Sequence, residues 1–352
     1  MEPKDFYEGK KVFLTGHTGF KGAWMCKVLN ILGAEVTGYS LEPPTNPNLF
    51  SMSDAESHMD SIIADIRDLD YLKKSISDVG PDIVIHMAAQ PLVSVGYSDP
   101  ILTYSSNVMG TVNILEAIRS CDSVRSFLNV TTDKVYRNNE WVWGYREDEY
   151  LDGYDPYSNS KSCSELVTSS YRKSFLDGKT AVSTARAGNV IGGGDFTAPR
   201  IIPDCVRAVI NKEKMILRNP CSTRPYQHVL EPVFAYLMIA AKQYMEPQFS
   251  GSYNIGPADE GCVSNETLIR LFGEYWGDGF SYEIHHDAGE PHEANFLKLD
   301  CSKARATFGW RPKWMISDAI EKTVEWTKAY LNGSQNECMN SQIKDYMKDL
   351  NW

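Results

Sequence analysis

An α/β fold is what this sequence predicts, built on a doubly wound parallel sheet with a smaller mixed α/β unit toward the C-terminus. Three observations predict it. Short apolar strands alternate with helices through the first half of the chain. The first of these strands runs into a glycine-rich turn, Thr15-Gly-His-Thr-Gly-Phe-Lys-Gly22, that opens a helix. After Gly188 the alternation loosens and glycine becomes frequent, as in Ile191-Gly-Gly-Gly-Asp195.

The elements follow in order. Lys11–Thr15 is a strand, and 21–32 a helix with Gly33 suited to its C-terminal cap. Glu35–Ser40 is the second strand and 61–65 the third. The helix Leu69–Val79 ends at Gly80-Pro81, a pair that cannot continue it. A buried strand (82–87), a helix (107–119), a strand (125–131), a long helix (157–175) and a strand (180–185) complete the alternation. Beyond it come helices at 203–211 and 231–244, a short strand at 215–218, and helical stretches at 263–276 and 317–331. These breaks divide the chain into three parts. Residues 1–190 bind a dinucleotide, with some later segments returning to them. Residues 191–332 are mainly a substrate domain, and 333–352 are a polar, loosely attached tail.

The composition excludes several classes of function. A net charge of −11 opposes general nucleic-acid binding, which needs a basic field. No apolar run is long enough to span a membrane, and the first residues lack the apolar core of a signal peptide. The eight cysteines are scattered without a CxxC pair, which reads as free thiols in a reducing cytoplasm. His285, His286 and His292 stand near Asp287, Glu290 and Glu293, but no HExxH spacing occurs, so no metal is expected.

Gly16, Gly19 and Gly22 give a GxxGxxG turn of Rossmann type, in which glycine permits close backbone approach to a pyrophosphate. Thr18 and Phe20 lie within the same turn. The residue expected at the adenosine ribose is Ser40, with Glu42 two positions late. No Lys or Arg stands between Lys27 and Arg67, so nothing cationic is available for a 2′-phosphate. NAD is therefore favoured over NADP. Asp65 and Ile66, after the third strand, are suited to line the adenine pocket.

Tyr157 and Lys161 are four residues apart, on one face of a helix. The preceding strand ends in Thr131-Thr-Asp-Lys-Val-Tyr136, where ligands of open α/β sheets bind. A lysine charge beside the phenol would lower its pKa and bring a phenolate toward neutral pH. Arg218 and Arg224 are candidates for an anionic nucleotide, since guanidinium pairs well with phosphate. Arg224 lies in a short polar stretch that ends at His228, and Glu293 borders a candidate base site.

With these residues in view, the chain resembles the extended short-chain dehydrogenase/reductase family. The matching stretches are Thr15–Gly22, His86-Met-Ala-Ala89, Asn107-Val-Met-Gly-Thr111, Thr131-Thr-Asp133, Tyr157-x-x-x-Lys161 and Arg186-Ala-Gly-Asn-Val190. Within it the chain is similar to nucleotide-sugar 4,6-dehydratases. Asp133-Lys134, where most carry Asp-Glu, resembles the cytidyl branch. The resemblance implies NAD as cofactor, held also by Ala88, Ala89, Gln90 and Asn107, and CDP-glucose as substrate. It implies oxidation at C4, loss of water across C5 and C6, and hydride return to C6. Tyr157 would take the O4 proton while Lys161 tunes it. Thr132 would bond O4, and Asp133 would protonate the leaving hydroxyl. Asn189 and Arg200 would lie on the pyrophosphate side. Lys134 stands where the general pattern has a Glu that removes the C5 proton; a lysine of lowered pKa beside a protonated Asp133 is expected to do so here, the alternative being that it only positions Asp133 or the sugar. A homodimer or homotetramer formed through helices 107–119 and 157–175 is also implied. Three other readings stay open, a 4-epimerase of the same scaffold, a non-catalytic NAD-bound sensor, and another nucleotide-sugar 4,6-dehydratase of the same family. Asp133 argues against the first, because epimerisation needs no acid at O6. The intact Thr132, Tyr157 and Lys161 argue against the second.

Overall fold

The computed structural model of the chain describes residues 2–285, 296–348 and 350. Six strands follow one another in the first half: β1 (Lys11–Thr15), β2 (Glu35–Ser40), β3 (Asp60–Ile63), β4 (Ile83–His86), β5 (Ser126–Thr132) and β6 (Ala181–Ala187). Six more follow: β7 (Asn189–Ile191), β8 (Met215–Leu217), β9 (Thr223–His228), β10 (Ser252–Ile255), β11 (Cys262–Ser264) and β12 (Tyr282–Ile284). The first six and β10 form one parallel sheet in the order β10-β6-β5-β4-β1-β2-β3. Every residue of β4, β5 and β6 is buried, as expected of strands covered on both faces. The order reverses direction between β1 and β4, which opens a crevice at the carboxyl ends of the strands.

Two apolar layers enclose the sheet. Helices Phe20–Ile31 and Leu230–Met245 pack on one face around Trp24, Leu29, Phe234 and Leu237. Helices Leu69–Val79 and Gly110–Arg119 cover the other around Leu72, Ile76, Ile114 and Phe127, with Val167 and Tyr171 of helix Pro156–Tyr171 packed against them. A third cluster lies outside the sheet, where helices Ile201–Asn211, Asn265–Trp276 and Ile316–Leu331 meet around Ile202, Phe272 and Ile320. There β7, β9 and β11 form a small mixed sheet, and β8 pairs with β12.

The first half follows the sequence closely in its strands and longer helices, because these are locally specified, while the short helices Pro3–Tyr7, Leu49–Met52, Val93–Ser98 and Pro100–Tyr104 were not expected. Asp68 accepts from the backbone N–H of Tyr71, and Gly80 ends that helix at φ +56°. Differences lie further on. The stretch expected to be helical from 263 begins as strand β11, and Ser264 caps the helix only from Asn265. The polar stretch around Arg224 is strand β9, almost wholly buried. The tail is not loosely attached over Gln335–Met347. That segment is a helix whose Met339, Ile343 and Tyr346 are buried against the rest of the fold. Its apolar residues recur at helical spacing inside an otherwise polar sequence, which hides the buried stripe from average composition.

Candidate active site

The glycine turn is shaped by contact. Gly16 stands at φ +80°, and a Cβ added there would lie 2.7 Å from the backbone nitrogen of Ala88. A Cβ at Gly22 would lie 2.1 Å from the Gly16 carbonyl oxygen. The turn thus brings bare backbone against the end of β4 and aims the amino end of helix Phe20–Ile31 into the crevice. Its neighbour is fixed by Thr15, whose hydroxyl accepts from the N–H groups of Met87 and Ala88, each at 3.1 Å. This cradle fits a dinucleotide, because only glycine leaves room for the pyrophosphate backbone contacts.

A cleft of about 1900 Å³ extends from this turn across the ends of the strands. Gly16, Thr18, Gly19, Phe20, Gly22, Ser40, Asp65, Ile66, Ala88, Ala89 and Gln90 line its cofactor side. Ser40 bonds the Thr18 hydroxyl at 2.9 Å. Asp65 is gripped by Arg67 at 2.6 Å, and those hydrogen bonds hold its carboxyl below the usual range. The first cation after β2 is therefore already neutralised. Asn107 stands behind the wall, where its amide bonds the backbone of Gln90 and the Ser160 hydroxyl.

Across the cleft, Thr132, Lys134, Tyr157 and Lys161 come together from β5 and helix Pro156–Tyr171. Asp155 caps that helix by accepting from Ser158, and Pro156 starts it, so Tyr157 sits in its first turn. Thr132 is hydrogen-bonded to Tyr157 and donates to Asp133 Oδ1 at 3.0 Å. Asp133 is fully buried, and its Oδ2 has no partner. Lys134 Nζ bridges Asp133 Oδ1 at 3.2 Å and Asn189 Oδ1 at 3.3 Å. Acid, hydroxyl, phenol and amine thus form one connected array.

The electrostatics differ from the expected tuning. Burial pushes the Tyr157 phenol up to about 12, opposed by the Thr132 hydrogen bond and the charge of Arg200. Lys161 Nζ donates to the Val130 carbonyl at 3.3 Å, and burial draws its pKa down to about 8. The charges that act on the phenol are those of Asp133, Arg200 and Asp155 rather than Lys161, and desolvation outweighs the lowering effects, so the phenolate is not brought near neutrality. Lys21, in the glycine turn, is also drawn down to about 8, first by burial and then by the charges of Arg200 and Lys161.

Arg200 lies nearer the chemistry than a pyrophosphate role alone implies. It pairs with buried Asp195 at 3.0 Å, and its charge reaches both Lys21 and Tyr157. Arg218 and Arg224 line the far end of the same cleft. The structure does not bring His228 there. Its ring is fully buried, edge-on to Trp24 and Trp314, and burial lowers its pKa to about 3. Glu293 lies outside the described residues, as do His286, Asp287, Glu290 and His292, while His285 pairs with Glu283 at 3.0 Å. Sequence reasoning passed over Glu165, which is buried one helical turn beyond Lys161; its spacing of four from Lys161 was the available signal.

The chain matches the family described as GDP-mannose 4,6 dehydratase over residues 13–323. It is 47% identical to the CDP-glucose 4,6-dehydratase of Salmonella typhimurium, with 99% of each chain covered. It is 26% identical to the dTDP-glucose 4,6-dehydratase of Shigella flexneri over 93% of this chain and 95% of that one. Among solved structures, a dTDP-glucose 4,6-dehydratase from Streptomyces venezuelae superposes with a TM-score of 0.78 at 22% identity, covering 92% of this chain and 98% of that one. A UDP-glucose 4-epimerase from Thermotoga maritima does so with 0.79 at 21%, covering 91% and 99%. The seven-stranded sheet, the glycine cradle and the Tyr157–Lys161 helix are thus those of a known lineage, and the chain belongs to the GDP-mannose 4,6 dehydratase family of extended short-chain dehydrogenase/reductases.

Proposed function

We propose that the protein is an NAD-dependent hydro-lyase that converts CDP-D-glucose to CDP-4-keto-6-deoxy-D-glucose and water. The observation that carries this is the Thr132–Asp133–Lys134 array facing Tyr157, which supplies an acid and an amine that simple oxidation does not need. The 47% identity to the Salmonella enzyme over nearly the whole chain supports the cytidine nucleotide.

NAD, when bound, supplies a hydride acceptor for C4, a donor for C6 and a positive charge. The chain's residues do the rest. The glycine turn and helix amino end hold the pyrophosphate, with Ser40 and Asp65 at the adenosine end and Ala88, Ala89 and Gln90 along the wall. Lys161 holds the nicotinamide ribose. Tyr157 takes the O4 proton as a phenolate, a form that burial opposes and that the positive charge of bound NAD would favour, and Thr132 bonds the same oxygen. The resulting ketone acidifies the C5 proton, so a mild base suffices. Lys134 and Asp133 touch at 3.2 Å, and a proton passed across that contact leaves a neutral amine and a carboxylic acid. Lys134 then removes the C5 proton while Asp133 donates to the departing O6. Asn189, Arg200, Arg218 and Arg224 anchor the diphosphate and nucleotide.

The described residues fit a division in which 1–190, with β10 and helix Leu230–Met245, bind cofactor and much of 191–332 binds substrate. All eight cysteines are unpaired, which supports a reducing, cytoplasmic setting. Ile101, Met109, Leu166 and Phe175 are exposed on or beside helices Gly110–Arg119 and Pro156–Tyr171, which supports self-association through that face. The test of activity is incubation of the protein with NAD and CDP-glucose. A 4-keto sugar absorbing in alkali is expected. CDP-galactose alone would indicate an epimerase, and no change would indicate a non-catalytic binder.

A further inference from the structure

Glu165 has no place in the reaction as described, yet it is 2% exposed and makes three strong bonds. It accepts from the Thr131 hydroxyl at 2.5 Å, the Thr184 hydroxyl at 2.7 Å and the Arg186 guanidinium at 2.9 Å. Arg186 is 3% exposed, and its other nitrogen donates to the Tyr136 hydroxyl at 2.8 Å and the Glu147 carbonyl at 2.9 Å. Tyr136 in turn donates to Asn254 at 2.6 Å.

These bonds converge on the catalytic turn. Thr131 immediately precedes Thr132, and Tyr136 follows the one-turn helix Asp133–Val135. Both ends of the segment that presents Thr132, Asp133 and Lys134 are therefore tied to one buried ion pair. Glu165 also lies on the helix of Tyr157 and Lys161, at successive spacings of four. A buried ion pair adds little net stability, because desolvation offsets its attraction. Its bonds to both ends of the turn point to positioning.

We propose that Glu165 is a positioning residue, which registers the Thr132–Lys134 turn against the Tyr157–Lys161 helix and keeps Lys161 in its ammonium form. The second half follows from what surrounds Lys161. Lys21 faces it from the glycine helix and is cationic. His86 faces it from the end of β4, and burial together with the charge of Lys161 keeps that ring neutral. Tyr157 precedes it by one turn and is protonated. Asp133 faces Lys21 and Tyr157 from the turn. Glu165 is the anion that opposes the loss of the Lys161 proton. Across the helix it is bound by Arg186, Thr131 and Thr184, so its charge is held in place.

The inference rests on the proposed roles of Tyr157 and Lys161, and its test separates the two. NAD affinity is titrated against pH for the wild type and for Glu165→Gln, with thermal unfolding of both. The wild type should lose affinity as pH rises through about 8, where both Lys21 and Lys161 deprotonate, and the part due to Lys161 is the loss that Glu165 reaches. In E165Q that loss should move about one unit lower, the smaller end of what one nearby charge does. In turnover of CDP-glucose, the alkaline limb of kcat should move with it, while KM changes less than about twofold. Thr184→Val keeps the charge and removes one bond, so it should lower the unfolding temperature and leave both limbs in place. An E165Q limb coincident with wild type overturns the proposal. Absence of turnover in the wild type overturns the proposed reaction instead, and the NAD titration still decides on Glu165. Should E165Q not fold, Thr131→Val tests the bracket: a fall in kcat of at least about tenfold at unchanged KM is expected, and an unchanged kcat overturns it.

Discussion

Tyr157 and Lys134 carry the proposed chemistry at the scale of single residues, and each is tested by one substitution. Tyr157→Phe deletes only the hydroxyl. It should bind NAD as the wild type does and lose about 10²–10⁴ in kcat, the range for a positioned acid or base; a variant within a few-fold of wild type would remove Tyr157 from the chemistry. Lys134→Met should leave the first oxidation intact and stop exchange of the C5 hydrogen with solvent. Exchange at the wild-type rate in heavy water would assign the base elsewhere. The meeting of these residues in one cleft was legible in the sequence, because Tyr157-x-x-x-Lys161 and Thr131-Thr-Asp-Lys134 are local patterns. Their energetics were not. The rise of Tyr157 to about 12 comes from burial by distant segments, which no local spacing encodes.

At the scale of elements, strand–turn–helix units were readable where caps and periodicity were local, and unreadable where burial depended on distant partners. β9 looked polar because Arg224, Gln227 and His228 are buried by tertiary packing. The helix Gln335–Met347 looked like a tail because its buried stripe, Met339, Gln342, Ile343 and Tyr346, lies inside an otherwise polar sequence. That helix and the 313–314 turn are joined through Glu231, which accepts from the Lys313 and Trp314 N–H groups and the Tyr346 hydroxyl. Burial raises the Glu231 pKa from 4.5 to about 7. A folded pKa above the unfolded one gives stability that is present below about 4.5 and lost as pH rises through about 7. The neutral variant Glu231→Gln should therefore gain on the wild type in unfolding temperature between pH 4.5 and 8. A wild type that gains instead would mean that the hydrogen bonds outweigh burial. For the cofactor turn, Gly22→Ala drives a methyl to 2.1 Å from the Gly16 carbonyl. It should weaken NAD binding by at least about tenfold, as the close approach of helix and turn is lost.

For the whole molecule, the parallel sheet places the glycine turn and the Thr132–Lys134 turn along one crevice, and later segments complete its lining. The parallel, doubly wound sheet was implied by the alternation; its strand order was not, and β10, contributed from far along the chain, was not seen. NAD should bind at least about tenfold more tightly than NADP, because Arg67 is already held by Asp65 and no other cation follows β2 directly. Calorimetric titration with each dinucleotide checks this, and equal affinities would mean that another side chain receives the 2′-phosphate. The claim that unites these parts is that hydrogen leaves C4 and returns to C6 within one closed site. CDP-glucose deuterated at C4, converted in ordinary water with NAD, tests it most directly. The account predicts a 4-keto-6-deoxy product carrying that deuterium on C6. Deuterium returned to C4 of an epimerised sugar, or lost to solvent, would contradict it.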